Sequence, residues 1–140
     1  APVQDQLDPA ELSSLGYIEA RALANAERFE EALKAYERLA QANPDNADAQ
    51  IGLAEQLLHA EDVSRLAQAR NKWREIANRT RPKSEQWYQA KYSLALAHYK
   101  LGDEKRAADI IRLVQAVPPG LESTQWKKKF LELLALCSNP

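Results

Sequence analysis

The chain has 140 residues, of which 45% are hydrophobic and 28% are charged, and this composition excludes general disorder. No run approaches the roughly 18 consecutive apolar residues of a membrane span. Because Cys137 is the single cysteine, an intramolecular disulfide is impossible. The net charge is only −1, but residues 1–62 carry 13 acids and 4 bases, while residues 63–140 carry 7 acids and 15 bases. An asymmetry of this size bears on partners and on association, not on the fold.

Capping and turn residues divide the first part of the chain into three predicted helices. Asp8 and Pro9 predict the first helix start, because aspartate caps a helix and proline suits its first position. A second helix is predicted from about Arg28, with apolar residues at helical spacing along one stripe. Residues 43–46, with the sequence Asn-Pro-Asp-Asn, are predicted to end that helix and to cap the third.

The remainder of the chain is divided into four further predicted helices. The fourth is predicted over about residues 64–80, and Ser84 can cap the fifth. Gly102 can take the left-handed conformation that ends the fifth helix, and Asp103 can cap the sixth. A seventh helix is predicted to start near Ser123. Since no strand pattern occurs in the sequence, the predicted fold class is all-α.

The helices recur as pairs with a period, which is typical of repeat proteins. In each pair a small residue on the first helix is followed, at a nearly constant spacing, by a small residue on the second helix. The spacing is the same in the first and last pairs and longer in the middle pair, where we place an insertion in the turn between the helices. These pairs are Ala20 and Ala32, Ala54 and Ala69, and Ala95 and Ala107. Such residues allow two helices to approach closely.

The pattern resembles the tetratricopeptide repeat family most clearly at residues 29–46 and 101–108. That family has a small residue where the paired helices cross, an alanine followed by an aromatic on the second helix, and a proline at the end of the unit. One departure is Glu27, at a turn where the family usually has glycine.

The resemblance implies a single domain that forms a right-handed α-solenoid. Its expected parts are three helix pairs, at about residues 13–46, 47–83 and 84–120, and a capping helix at about 122–137. The resemblance also implies a non-catalytic protein–protein interaction module, which we expect to be part of a larger bacterial protein.

Ligands of the family lie along a concave groove formed by the first helix of each repeat. Carried over position by position, the expected peptide-groove residues are Tyr17, Ile18, Arg21, Ile51, Glu55, Leu58, His59, Tyr92, Leu96 and Tyr99. The family's clamp for a C-terminal carboxylate is not matched, because Arg21 is the one cation among its equivalent positions, which are Tyr17, Arg21, Gly52, Gln89 and Ser93.

Other functions receive less support from the sequence. The acidic end of one copy could meet the basic end of another, which would give weak self-association end to end. The basic stretch 70–91 contains interleaved aromatic residues, a composition that can bind single-stranded nucleic acid. We consider nucleic acid the less favoured partner, because Trp73 occupies a core position of the repeat. No catalytic, metal or cofactor site is predicted, since His59 and His98 are far apart in the sequence and lack any cluster of ligands. A protein or peptide partner is therefore expected, and the sequence leaves the compartment open.

Overall fold

The computed structural model describes residues 8–122 and 124–138, and within these ranges it contains seven α-helices and no strand. The all-α prediction is therefore confirmed. The helices are α1 (Pro9–Asn25), α2 (Phe29–Ala42), α3 (Ala47–Leu58), α4 (Val63–Arg79), α5 (Glu85–Lys100), α6 (Glu104–Ala116) and α7 (Lys127–Ser138). They fall into two compact units: α1 to α3 lie in unit 1, which ends at His59, and α4 to α7 lie in unit 2, which begins at Ala60.

The helix starts follow from local capping chemistry. At four of them the side chain that the sequence predicted as the cap accepts a hydrogen bond from the backbone N–H three residues further on. These caps are Asp8 to Glu11 at 2.8 Å, Asn46 to Ala49 at 3.1 Å, Ser84 to Trp87 at 3.2 Å, and Asp103 to Arg106 at 3.2 Å. Each cap satisfies a donor that the helix itself leaves unpaired.

Two of the helix ends share one turn geometry. Gly102 after α5 has φ +86°, and Glu27 after α1 has φ +61°. In both turns the next backbone N–H bonds to a carbonyl in the last turn of the preceding helix: Arg28 N to Leu23 O is 2.9 Å, and Asp103 N to His98 O is 2.8 Å. Glu27 therefore adopts the left-handed conformation that glycine provides in the family pattern.

Unit 1 is built by packing α2 against both α1 and α3. Ala20 of α1 and Ala32 of α2 have no exposed surface, so the small residues of the first predicted pair permit the expected close approach. Gly52 of α3 lies against the ring of Tyr36, and an added Cβ would overlap that ring. The packing of α3 on α2 thus depends on a missing side chain.

Unit 2 has a core shared by α5, α6 and α7. It contains Trp87, Tyr88, Ala95, Ala107, Ile111, Val114, Leu121, Phe130 and Leu133. Phe130 has no exposed surface, and it brings α7 onto the other two helices. The repeat boundaries stay a prediction, because the expected middle repeat takes α3 from unit 1 and α4 from unit 2.

The prediction for the start of the last helix was wrong. Instead of beginning near Ser123, α7 begins at Lys127, and Trp126 precedes it in a turn. The backbone N–H of Thr124 bonds to Leu121 O at 3.0 Å, and the side chain of Leu121 is buried in the core. The anchored turn delays the helix, a constraint that local sequence does not reveal.

Candidate peptide-binding surfaces

Four of the expected groove residues converge on one cavity of unit 1. Tyr17 and Arg21 from α1 and Ile51 and Glu55 from α3 line a cavity of about 270 Å³. We refer to the space between α1 and α3 as the α1–α3 cleft. Ile51 lies one predicted repeat period after Tyr17, and Glu55 lies one period after Arg21, so each of these pairs has one member on each wall of the cavity.

A second and larger cavity of about 620 Å³ occupies the N-terminal part of the α1–α3 cleft. Tyr17 and Asp48 line both cavities, so the two cavities adjoin each other along the cleft. The larger cavity includes the side chain of Ile18 and that of Leu39 from α2, which give it an apolar wall. The cleft therefore changes from apolar near the helix N-termini to polar toward Arg21.

Tyr36 of α2 contributes to the lining of the smaller cavity. Its ring meets the ring of Tyr17 edge to face, with centroids 6.0 Å apart. The guanidinium carbon of Arg21 lies 5.9 Å from the centroid of the Tyr17 ring. Burial raises the pKa of Tyr36 to about 12, with Tyr17 and Glu55 adding to the rise and Arg21 opposing it. The Tyr36 hydroxyl is therefore neutral at physiological pH, and it remains a hydrogen-bond donor.

The expected groove residues did not include Tyr36 or Gly52. The ring of Tyr36 reaches the cavity because Gly52, which faces it, has no side chain. The signal available in the sequence was a glycine in the middle of a predicted helix. Glycine at such a position lowers helix stability by about 1 kcal/mol relative to alanine, so its presence there usually reflects close packing.

The other two expected residues of unit 1, Leu58 and His59, lie outside these two cavities. His59 stacks on Phe29 of α2, with ring centroids 4.1 Å apart and planes 14° apart. The C-terminal end of α3 is therefore engaged with α2 and does not contribute to the walls of the cavities.

The expected residues of α5 pack against the core of unit 2. Tyr92, Leu96 and Tyr99 are all partly buried against it. The ring of Tyr92 meets that of Phe130 edge to face at 5.5 Å, and burial raises the pKa of Tyr92, with Glu132 adding to the rise. Tyr92 thus forms part of the packing between α5 and α7.

An aromatic and charged cluster lies on the same side of unit 2. Trp126 lies 6.0 Å from Tyr92, and its indole N–H donates to Glu85 Oε2 at 3.0 Å. Lys129 Nζ lies 5.2 Å from the Trp126 centroid and 5.8 Å from that of Tyr92, within the range of a cation–π interaction. Gln125 Nε2 also donates to Glu85 Oε2, at 2.7 Å. These contacts fix the turn before α7 to the start of α5.

The aromatic residues of the 70–91 stretch are not available for stacking on bases. Trp73, Trp87 and Tyr88 are all buried, and Trp73 has only 1% of its surface exposed. The Tyr88 hydroxyl donates to Gly120 O at 3.4 Å inside the unit. Because single-stranded nucleic acid is bound largely by stacking on exposed rings, the interleaved aromatics lend that hypothesis no support.

Neither histidine belongs to a metal site in the described part of the chain, which contains no group of three potential metal ligands. His98 is buried, with Nδ1 3.9 Å from Asp103 Oδ2. Burial lowers the pKa of His98, Asp103 opposes this effect, and Arg70, Arg74 and Arg106 add to it. None of the helices in residues 8–122 and 124–138 is long and apolar enough to span a membrane.

Comparison with protein families gives a match to the tetratricopeptide repeat over residues 17–85. Residues 17–85 belong to the tetratricopeptide repeat family. The match runs from Tyr17 in α1 through α2, α3 and α4 to the first residue of α5. Comparisons with curated proteins and with solved structures gave no significant match. Tetratricopeptide repeats generally mediate protein–protein interaction, which agrees with the class of partner that the sequence indicated.

Proposed function

We propose that this chain is a non-catalytic module that binds a peptide or protein segment in the α1–α3 cleft. One observation carries the proposal. Tyr17, Arg21, Ile51 and Glu55 were expected in a groove from their repeat positions, and they line a single cavity. A cleft with apolar and hydrogen-bonding walls is the usual form of a binding site.

The cleft favours a ligand that has one apolar part and one basic part. The larger cavity, with Ile18 and Leu39, has room for one large apolar side chain, while Asp48 and Glu55 line the polar part. Residues 1–59 carry 11 acids and 4 bases, so unit 1 has a net charge of −7. Such a field attracts basic segments and repels acidic ones. We therefore propose a ligand with an apolar anchor followed by a basic residue.

Leu58 and His59 in unit 1 remain proposed contacts through their exposed parts, and Tyr92, Leu96 and Tyr99 remain so for unit 2 taken by itself. Tyr92 and Leu96 also pack against the core of unit 2, so their truncation would change stability together with binding. The sharper test therefore lies in unit 1, where Tyr17 and Ile51 are partly exposed cleft residues.

The test uses peptides selected on this chain from a display library, labelled with a fluorophore and titrated by fluorescence anisotropy. Tyr17→Ala combined with Ile51→Ala should weaken binding by about tenfold or more, because two apolar contacts are lost. The matched control is Arg79→Ala combined with Lys83→Ala, two exposed residues of unit 2, and it should bind as the parent does. Equal affinity for the cleft variant and the parent would show that the ligand binds elsewhere.

Charge changes at the cleft test the polarity of the ligand separately. Arg21→Gln removes a cation and should tighten binding of basic peptides, whereas Asp48→Asn should loosen it. Both effects should shrink as salt is raised, because the two residues are exposed and screened. Effects of the opposite sign would indicate an acidic ligand.

A further inference from the structure

The outward side of α1 carries apolar residues that unit 1 leaves about half exposed, and Leu12 and Glu19 also line a shallow cavity of about 330 Å³ against α2. Leu12 and Leu15 have 47% and 53% of their surfaces exposed, and the exposed Ala22 continues the stripe further along the helix. The acidic residues Glu11 and Glu19 are exposed beside them. We call these five residues the α1 outer face.

The outward side of α7 carries exposed leucines on either edge of a surface that holds lysines and Glu132. Leu131 and Leu136 have 41% and 50% of their surfaces exposed, with the exposed Ala135 between them. Lys127 and Lys128 lie at the start of the helix. We call the two leucines, Ala135 and the two lysines the α7 outer face.

The lysines of the α7 outer face keep their charge available for a partner. Lys127 pairs with Glu122 at 2.8 Å and Lys128 pairs with Glu132 at 4.0 Å; the Lys127 side chain is about half exposed, and the other three are largely in solvent. Exposed ion pairs of this kind contribute little to stability and exchange readily. A partner's carboxylates can therefore compete for these lysines.

The net charges of the two units distinguish between the ways in which two copies of the chain could pair through these faces. Residues 1–59 have a net charge of −7, and residues 60–140, with 9 acids and 15 bases, have a net charge of +6. Pairing two α1 outer faces would oppose acid to acid, and pairing two α7 outer faces would oppose lysine to lysine. Of these three pairings, only that of α1 with α7 brings unlike net charges and exposed apolar residues together.

We propose that the α1 outer face of one molecule binds the α7 outer face of a second copy, head to tail. Each molecule has one face of each kind, so the contact is heterologous, and it either closes into a ring or extends into a chain. One helix on one helix is a small interface, so the association is weak and depends on salt. The inference does not depend on the cleft, because Leu12, Leu15 and the α7 residues do not line either cavity of the cleft.

Two blocking variants test the contact by sedimentation velocity at about 0.01 M salt, where screening is weakest. The first variant combines Leu12→Glu with Leu15→Glu and blocks the α1 outer face. The second combines Lys127→Glu with Lys128→Glu and blocks the α7 outer face. The parent should associate more as its concentration rises, and each variant alone should stay monomeric. A mixture of the two should form dimers and stop there, because one intact α1 face and one intact α7 face remain.

Both variants should fold, since the leucines are exposed and glutamate suits the first turn of a helix. Circular dichroism checks that each variant is folded. Any variant that unfolds is replaced by the milder change on the same face, Leu15→Gln or Lys128→Gln. Each milder change is expected to weaken association by about tenfold. The matched controls are Leu113→Glu, an exposed leucine of α6 outside both faces, and Arg79→Glu combined with Lys83→Glu. These controls should associate as the parent does.

Several results would overturn the proposal. A parent that is monomeric at low salt shows that a second copy does not occupy these faces. Self-association of either blocked variant would mean that like faces pair. If the mixture of the two variants stays monomeric, the head-to-tail contact does not form. If Arg79→Glu combined with Lys83→Glu reduces self-association as much as the blocking variants do, the attraction comes from the net charge of the units and not from these two faces. Peptide binding in the cleft would be unaffected by any of these results.

Discussion

The turn after α1 gives a prediction about stability, because a glutamate occupies a conformation that suits glycine. Glu27 has φ +61°, and its side chain is exposed. The left-handed conformation costs an ordinary residue about 1–2 kcal/mol, while glycine loses about 0.5–1 kcal/mol more backbone entropy on folding. Glu27→Gly should therefore stabilise the chain by about 0.5–1 kcal/mol.

Two matched changes isolate the conformational cause. Gly102 has φ +86° in the same kind of turn, and a Cβ added there would meet nothing within 4 Å. Gly102→Ala should therefore destabilise by about 1 kcal/mol through backbone strain alone. Glu37→Gly, at an exposed position inside α2, should destabilise by about 0.5 kcal/mol because glycine is a poor helix former.

Thermal unfolding followed by circular dichroism measures all three variants. For a chain of this size, a change of about 1 kcal/mol corresponds to about 2–4 °C in Tm. We expect Tm to rise for Glu27→Gly and to fall for Gly102→Ala and Glu37→Gly. If Glu27→Gly melts at or below the parent while the other two behave as expected, the strain assigned to Glu27 is not present.

The remaining predictions concern the cleft wall and the buried histidine. Gly52→Ala should destabilise unit 1 by about 1–3 kcal/mol despite the better helix propensity of alanine, because its Cβ would overlap the buried Tyr36 ring; an unchanged denaturant midpoint would contradict this packing. Because its pKa is lowered in the folded state, His98 takes up a proton at a lower pH there than in the unfolded chain, where it does so around pH 6.5. This contribution to stability should be full above about pH 6.5 and should fall as the pH is lowered below it. His98→Gln should flatten that decline in urea titrations, and an unchanged slope would contradict this.

Much of the fold could be predicted because its determinants are local. Asp8, Asn46, Ser84 and Asp103 each cap a helix through a hydrogen bond to a backbone group three residues away. Such a bond needs only the side chain and the neighbouring backbone, so the sequence reveals it. The departure from the family pattern at Glu27 was likewise visible beforehand.

The candidate site was only partly predictable, because its arrangement depends on residues distant in the chain. The resemblance to the tetratricopeptide repeat implied that Tyr17 and Ile51 would be groove residues of successive repeats, and they line one cavity. Spacing could not show that Tyr92 would be packed under Phe130, since that contact joins two helices, α5 and α7, that are separated in the sequence by the whole of α6.

The sequence by itself determined the helices, their caps and the period that relates them, because hydrogen bonds within one turn and the spacing of small residues are written along the chain. Tertiary structure decided where α7 begins, through the buried Leu121, and how the cleft is shaped, through Gly52 against the Tyr36 ring. Both are decided by close packing between elements, where the space left by one residue determines the position of another far away in the sequence.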